Sequence, residues 1–231
     1  MGLSRERIVG AAIELLDTDG ERGLTFRALA ARLKTGAGAI YWHVTNKDEL
    51  LIAATEAILT GAARPRAGTP EDTLRAIALG VFDAVDEHPW VGTQLTRMQA
   101  QPALLRLSES IGRQVQLLGV PSAAGFDAAT ALLNYVLGVA GQNAALAGSI
   151  EPGTIRGEVL GTMAAEWEAL DPEEFPYLRS VAPQLRDHDD RDQFLAGVDL
   201  VLAGMATLRG VPADPPRRAR PDVPSGHGPS Q

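Results

Sequence analysis

Residues 24–51, LTFRALAARLKTGAGAIYWHVTNKDELL, collect the side chains needed to hold and read a duplex nucleic acid. Thr25, Tyr41, His43 and Lys47 offer hydroxyl, imidazole and ammonium donors for phosphate oxygens. Lys47 falls at a helix start, whose own N–H groups favour an anion. Arg27 carries the fork that matches the O6 and N7 of guanine, and Ala37, Gly38 and Ala39 are small enough to bring a backbone close to base edges. These groups bind; none of them is a nucleophile beside a base.

Catalysis would require a nucleophile, an acid and base pair or a metal site converging in a pocket. The chain has no Cys, which excludes disulfides, thiolate metal sites and cysteine nucleophiles and points to a reducing compartment. Glu166 and Glu168 fall on different helix faces, and Asp189-Asp190 reads as a solvated helix start. His88, the one histidine between residues 44 and 187, stands beside Pro89 at a helix end, where a solvated cap is the expected role. No metal and no cofactor are expected. A helical-bundle enzyme acting on a small molecule is the alternative from another class.

The elements that must position the binding groups are helices. Ser4 caps a first helix with Ile8, Ala12, Leu15 and Leu16 in one stripe, ending near Gly20. Thr25 caps a second, with Leu29, Ala30 and Leu33 inward and Arg27 and Arg32 pointing out. A very short third helix follows Lys34-Thr35-Gly36 and runs through Ala39, Ile40, Tyr41 and Trp42. Asn46 and Glu49 form a capping-box pattern that starts a fourth helix, with Leu50, Leu51, Ala54 and Ile58 inward. After RPRAGTP at 64–70, Thr69, Pro70 and Asp72 open the next helix, and proline pairs further on divide the remainder into six or seven helices.

The 231 residues carry a formal net charge of -8, unevenly spread. Residues 1–66 hold nine Lys or Arg against eight Asp or Glu, and the rest hold 12 against 21, so the two parts carry +1 and -9. A local basic face governs phosphate contact, while an acidic remainder limits non-specific adhesion. The N-terminus lacks the continuous apolar run of a signal peptide, which gives a cytoplasmic expectation.

AAIELL, the glycines at 20 and 23, LTFRALAARL and IYWHVTNKDELL together resemble the N-terminal domain of the TetR (tetracycline repressor) family of bacterial transcription regulators, over about residues 4–60. The resemblance implies that Thr25, Tyr41, His43 and Lys47 grip phosphates, that Arg27, Ala37, Gly38 and Ala39 lie near bases, and that Trp42 supports the recognition helix. Read from the residues alone, the stretch also fits a small bundle with Tyr41 and Trp42 as core aromatics and His43 as a structural histidine. The chain departs from the family's usual Gly-Val at Lys34-Thr35. A left-handed non-glycine residue there costs about 1–2 kcal/mol, and Gly36 is the candidate to take over the turn.

Beyond residue 66 the resemblance is one of architecture. The expected fold is all-α: a three-helix helix-turn-helix DNA-binding domain at 1–66, a helical ligand-binding and dimerisation domain at 69–209, and a disordered Pro-rich tail at 210–231. No charged residue occurs between Ala128 and Ile150, and Asn134, Gln142, Asn143 and glycines make this a buried helix needing cover on two sides, not a membrane span. It and the helix near 190–209, with Phe194, Val198, Val201, Met205 and Leu208 on one side, are candidates for an intersubunit four-helix bundle. A ligand pocket is expected among Phe82, Trp90, Leu95, Met98, Leu105, Asn134, Tyr135, Gln142, Met163 and Trp167, with the two amides as buried polar groups needing partners. The function expected is a homodimeric, effector-released repressor on a palindromic operator. A DNA-binding dimer without a ligand is the further alternative.

Overall fold

The computed structural model describes residues 2–62, 68–96, 102–149 and 156–209. All regular structure among them is helical. α1 (Arg5–Gly23) starts where the Ser4 hydroxyl accepts the N–H of Arg7. It runs past Gly20, whose φ of 63° and ψ of -170° kink it, and so ends three residues later than the sequence pattern indicates. α2 (Phe26–Leu33) begins at Thr25, whose side chain accepts the Ala28 N–H, a cap worth about 1 kcal/mol. α3 (Ala37–Tyr41) is one turn long, and α4 (Lys47–Ala62) completes the N-terminal group.

The α2–α3 turn corrects one expectation. Lys34 itself is the left-handed residue, at φ 52° and ψ 48°, and Gly36 is extended at φ -80°. Its strain is offset by capping, since the Lys34 N–H bonds the Ala30 and Ala31 carbonyls at the end of α2. The capping box of α4 is only half formed. Asn46 Oδ1 accepts the Glu49 N–H at 2.8 Å, while the Glu49 carboxylate turns to the Thr45 N–H and to Arg5.

The rest of the chain forms α5 (Pro70–Glu87), α6 (Pro89–Thr96), α7 (Pro102–Leu117), α8 (Ser122–Ser149), α9 (Arg156–Ala169), α10 (Pro176–Val181) and α11 (Asp190–Thr207), with a 3-10 turn at Ala182–Leu185. Thr69 caps α5 as expected and forms a capping box with Asp72, and Asp189 caps α11. Two clusters of buried side chains result. Ile8, Leu16, Leu24, Leu29, Ile40 and Leu50 form the first, and Leu74, Ile77, Val81, Leu107, Leu132, Phe194 and their neighbours the second, with Trp90 touching both.

α8 is long and apolar enough, by length and composition, to cross a membrane, yet it packs on α5, α6, α7 and α11. Ala128, Leu132, Val136 and Ala140 fill one face, spaced by helical turns, and the opposite face, with Ala131, Asn134, Gly138 and Gln142, is exposed. Cover on two sides is therefore not supplied within one chain. On α11 the buried residues are Phe194, Val198, Leu202 and Met205. Leu202 thus belongs to the inner stripe, whereas Val201 and Leu208 are only half-buried. Gly197 lets the two helices meet, because a Cβ there would lie 1.9 Å from the Tyr135 hydroxyl. That hydroxyl donates to the Phe194 carbonyl at 3.1 Å. α9, α10 and the 3-10 turn pack on one another, tied by Arg186 to Glu168 at 2.6 and 2.9 Å.

Candidate nucleic-acid interface

Three of the phosphate candidates converge. Thr25, Tyr41 and Lys47, with Leu24, Phe26 and Leu50, line one recess of about 370 Å³ where α2, α3 and α4 meet. Thr25 Oγ1 accepts the Ala28 N–H as the α2 cap and keeps its own proton to donate. Tyr41 is exposed but fixed, its ring stacked on Phe26 with centroids 4.3 Å apart and 8° between planes. The Lys47 ammonium bonds the backbone carbonyl of Glu21, which spends one of three donors and aims the other two. His43 is half-buried at the end of the α3 turn, its carbonyl held by Arg5 Nη1 at 3.0 Å.

The base-reading candidates lie on the outer surface beside this recess. Arg27 is exposed on α2, Ala37 and Gly38 are exposed at the start of α3, and Ala39 is half-buried. Ile40, fully buried, anchors α3 to the first core. Arg32 is not free, since its Nε bonds Glu14 at 2.6 Å. Trp42 is 90% exposed, so it is neither a core aromatic nor the support of α3; Phe26 and Ile40 do that work. Phe26 and Arg5, whose guanidinium joins the His43 carbonyl to Glu49 at 2.8 Å, were missed from sequence. Glu49 is held below the usual carboxylate range, first by the Thr45 N–H and then by Arg5.

The ligand candidates do not converge. Phe82 and Leu95 are buried core residues, and Tyr135 is held by its bond to α11. Asn134 and Gln142 share the exposed face of α8, against the expectation of burial, and Leu105 faces solvent on α7. Met163 and Trp167 stand on α9, and Met98 lies outside the described residues. Trp90 and His88 make a joint instead. Trp90 Nε1 donates to Asp17 Oδ1 at 2.7 Å, and His88 Nδ1 lies 2.7 Å from the same oxygen, so His88 is a partnered side chain and not a solvated cap.

A cavity of about 720 Å³ opens elsewhere, between α7 and α8, lined by Ser108, Gly112, Gln116, Phe126, Thr130 and Leu133 among others. Its walls are apolar with hydroxyl and amide groups, the mixture that suits a small molecule. None of the nine candidates among the described residues lines it. Glycines and small polar residues, which give no periodic signal, make up much of its surface. Among the described residues, no group of three or more His, Asp or Glu is placed to hold a metal ion.

Residues 8–54 match the family of bacterial regulatory proteins described as the tetR family. An HTH-type transcriptional regulator of Saccharopolyspora erythraea is 32% identical over 213 residues, covering 90% of this chain and 87% of that protein. A solved transcriptional regulator from Streptomyces coelicolor, a TetR, is 56% identical with a TM-score of 0.83, covering 90% of this chain and all of that one. ActR of Streptomyces coelicolor, solved in complex with actinorhodin, is 23% identical with a TM-score of 0.73 over 90% of this chain and 97% of that one, a likeness of fold alone. A helix-turn-helix head with its donors gathered at one recess, carried on a helical body and matched along nearly the whole chain by such regulators, places this protein in the TetR family of bacterial transcription regulators, DNA-binding proteins with a ligand-binding helical domain.

Proposed function

We propose that this regulator works in the cytoplasm as a homodimeric repressor. Residues 1–66 form its DNA-reading domain and residues 69–209 its effector-binding and dimerising domain. The convergence of Thr25, Tyr41 and Lys47 on one recess carries the reading, with Arg27, Ala37 and Gly38 exposed beside it. Phosphates held at the recess fix register, and Arg27 and α3 read base edges in the major groove. His43, beside them, adds an imidazole donor.

Dimerisation is supported by the exposed faces of α8 and α11. Asn134, Gln142 and Leu146 on α8 and Leu200 on α11 are open in the single chain, on helices otherwise packed into the core. Two such pairs form a four-helix bundle around a two-fold axis, and an operator with inverted half-sites follows from that symmetry. The α7–α8 cavity is the candidate effector site. An effector that binds better when the two heads are misplaced for successive major grooves releases DNA by that difference in affinity.

Selection from a random duplex pool tests this reading. The purified protein is expected to enrich an inverted repeat and to sediment as a dimer. A pool with no enriched sequence, or a monomer bound to a single half-site, contradicts it.

A further inference from the structure

Glu21, in the last turn of α1, is bonded to both α4 and α6. Past the kink at Gly20, backbone that glycine alone adopts without strain, the final turn of α1 swings Glu21 into the junction between head and body. Its carboxylate accepts from the amide of Gln94 on α6 at 3.3 Å, and Gln94 is only 5% exposed. Its backbone carbonyl accepts from the Lys47 ammonium in the first turn of α4. Before the kink, Asp17 is bonded to Trp90 and lies against His88 at the start of α6. α6 therefore grips α1 on both sides of Gly20.

The consequence concerns Lys47. Its ammonium stands at the recess with Thr25 and Tyr41, and where it points depends on the Glu21 carbonyl. That carbonyl belongs to a short turn with a glycine hinge behind it and a buried amide holding its side chain. A shift of α6 relative to α1 pulls on Glu21 and moves the carbonyl, and the ammonium follows or loses its partner.

We propose that Glu21, held by Gln94, is a positioning residue for DNA binding that acts through Lys47, so that the α6–α1 joint sets the head's grip on phosphate. The proposal rests on the reading of Lys47 as a phosphate contact. A sequence-independent contact of this kind is visible in the salt dependence of binding, because each phosphate neutralised contributes a slope of about -0.9 in log K against log salt for duplex DNA.

The test uses the full chain and the duplex enriched from the random pool, with affinity measured from low to high salt for the parent, Lys47→Ala, Gln94→Met and the double variant. Lys47→Ala is expected to reduce the slope by about 1. Gln94→Met, which keeps the volume and removes the amide, is expected to weaken binding about 3- to 10-fold, one hydrogen bond's effect, and to take away part of the same slope. The double variant is expected to bind no more weakly than Lys47→Ala, because both changes remove one contact. Glu21→Gln retains an acceptor for Gln94 and is expected to hold parental affinity or better, where Glu21→Ala loses it. Additive losses in the double variant, a full salt slope in Gln94→Met, or equal losses in Glu21→Gln and Glu21→Ala overturn the proposal while leaving Lys47 as a phosphate contact. An unchanged slope in Lys47→Ala overturns both. Thermal melts of each variant identify any loss that comes from unfolding, and Glu21→Gln, with its bond kept, still decides the matter if Gln94→Met is unstable.

Discussion

The ring of Tyr41 lies flat on that of Phe26, 4.3 Å between centroids, and this stack is what holds the exposed end of α3 against the start of α2. Stacked pairs contribute about 0.5–1.5 kcal/mol beyond the area they bury. Phe26→Ala is expected to destabilise the protein by about 2 kcal/mol and to weaken DNA binding on all sequences alike, since Tyr41 then loses its orientation. Urea unfolding and a binding titration on two unrelated duplexes check this; a selective loss on one duplex would place Tyr41 at a base instead.

Lys34 occupies the left-handed region at φ 52°, where a side chain is strained and glycine is not. Lys34→Gly is expected to raise stability by about 1 kcal/mol, the left-handed penalty less glycine's entropy cost. Lys34→Val, branched at Cβ, is expected to lower it. Denaturant midpoints of the two variants should move in opposite directions.

The N-terminal group was legible because its signals are local. Ser4 and Thr25 cap α1 and α2 through bonds that span three residues, and the α1 stripe of Ile8, Ala12, Leu15 and Leu16 follows from helical period. The support of α3 that the resemblance implies for Trp42 does not carry over, because at the end of α3 its side chain projects outward, 90% exposed. On α8, Ala131, Gly138 and Ala145 outside resemble Ala128 and Ala140 inside, so periodicity does not say which face α5 and α11 will cover, and Asn134 and Gln142 were assigned to the wrong one. The Asp17 bond to Trp90 joins positions far apart in the chain with no local signature, as does the cavity between α7 and α8.

The clamp between Arg5 and Glu49 gives a pH dependence of known sign. The Glu49 carboxyl is held below its ordinary value by the Thr45 N–H and then by Arg5, so its folded pKa lies under its unfolded one. The stability it contributes is fully present above the unfolded value, about 4.3, and is lost as pH falls through the lower folded value. The stability difference between the parent and Glu49→Gln should therefore be constant from pH 7 to about 5 and shrink toward zero in stronger acid. A difference that grows on acidification would reverse the assignment.

Leu200 on α11 is 76% exposed in the single chain, on the side of the helix away from the buried stripe of Phe194, Val198, Leu202 and Met205. Leu200→Arg is expected to leave helicity intact and to shift the protein to half its mass in sedimentation, with at least about a tenfold loss of affinity for an inverted repeat because the two heads no longer bind together. A dimer that survives the change would move the interface away from α11.

The most direct measurement is the ratio of affinities for the enriched duplex and a scrambled duplex of the same length and composition, titrated at near-physiological salt. Reading of base edges by Arg27 and α3 predicts a ratio of about 10³ or more, falling in Arg27→Ala, while Lys47→Ala weakens both duplexes equally. Equal affinity of the parent protein for the two duplexes at every salt concentration would contradict the account.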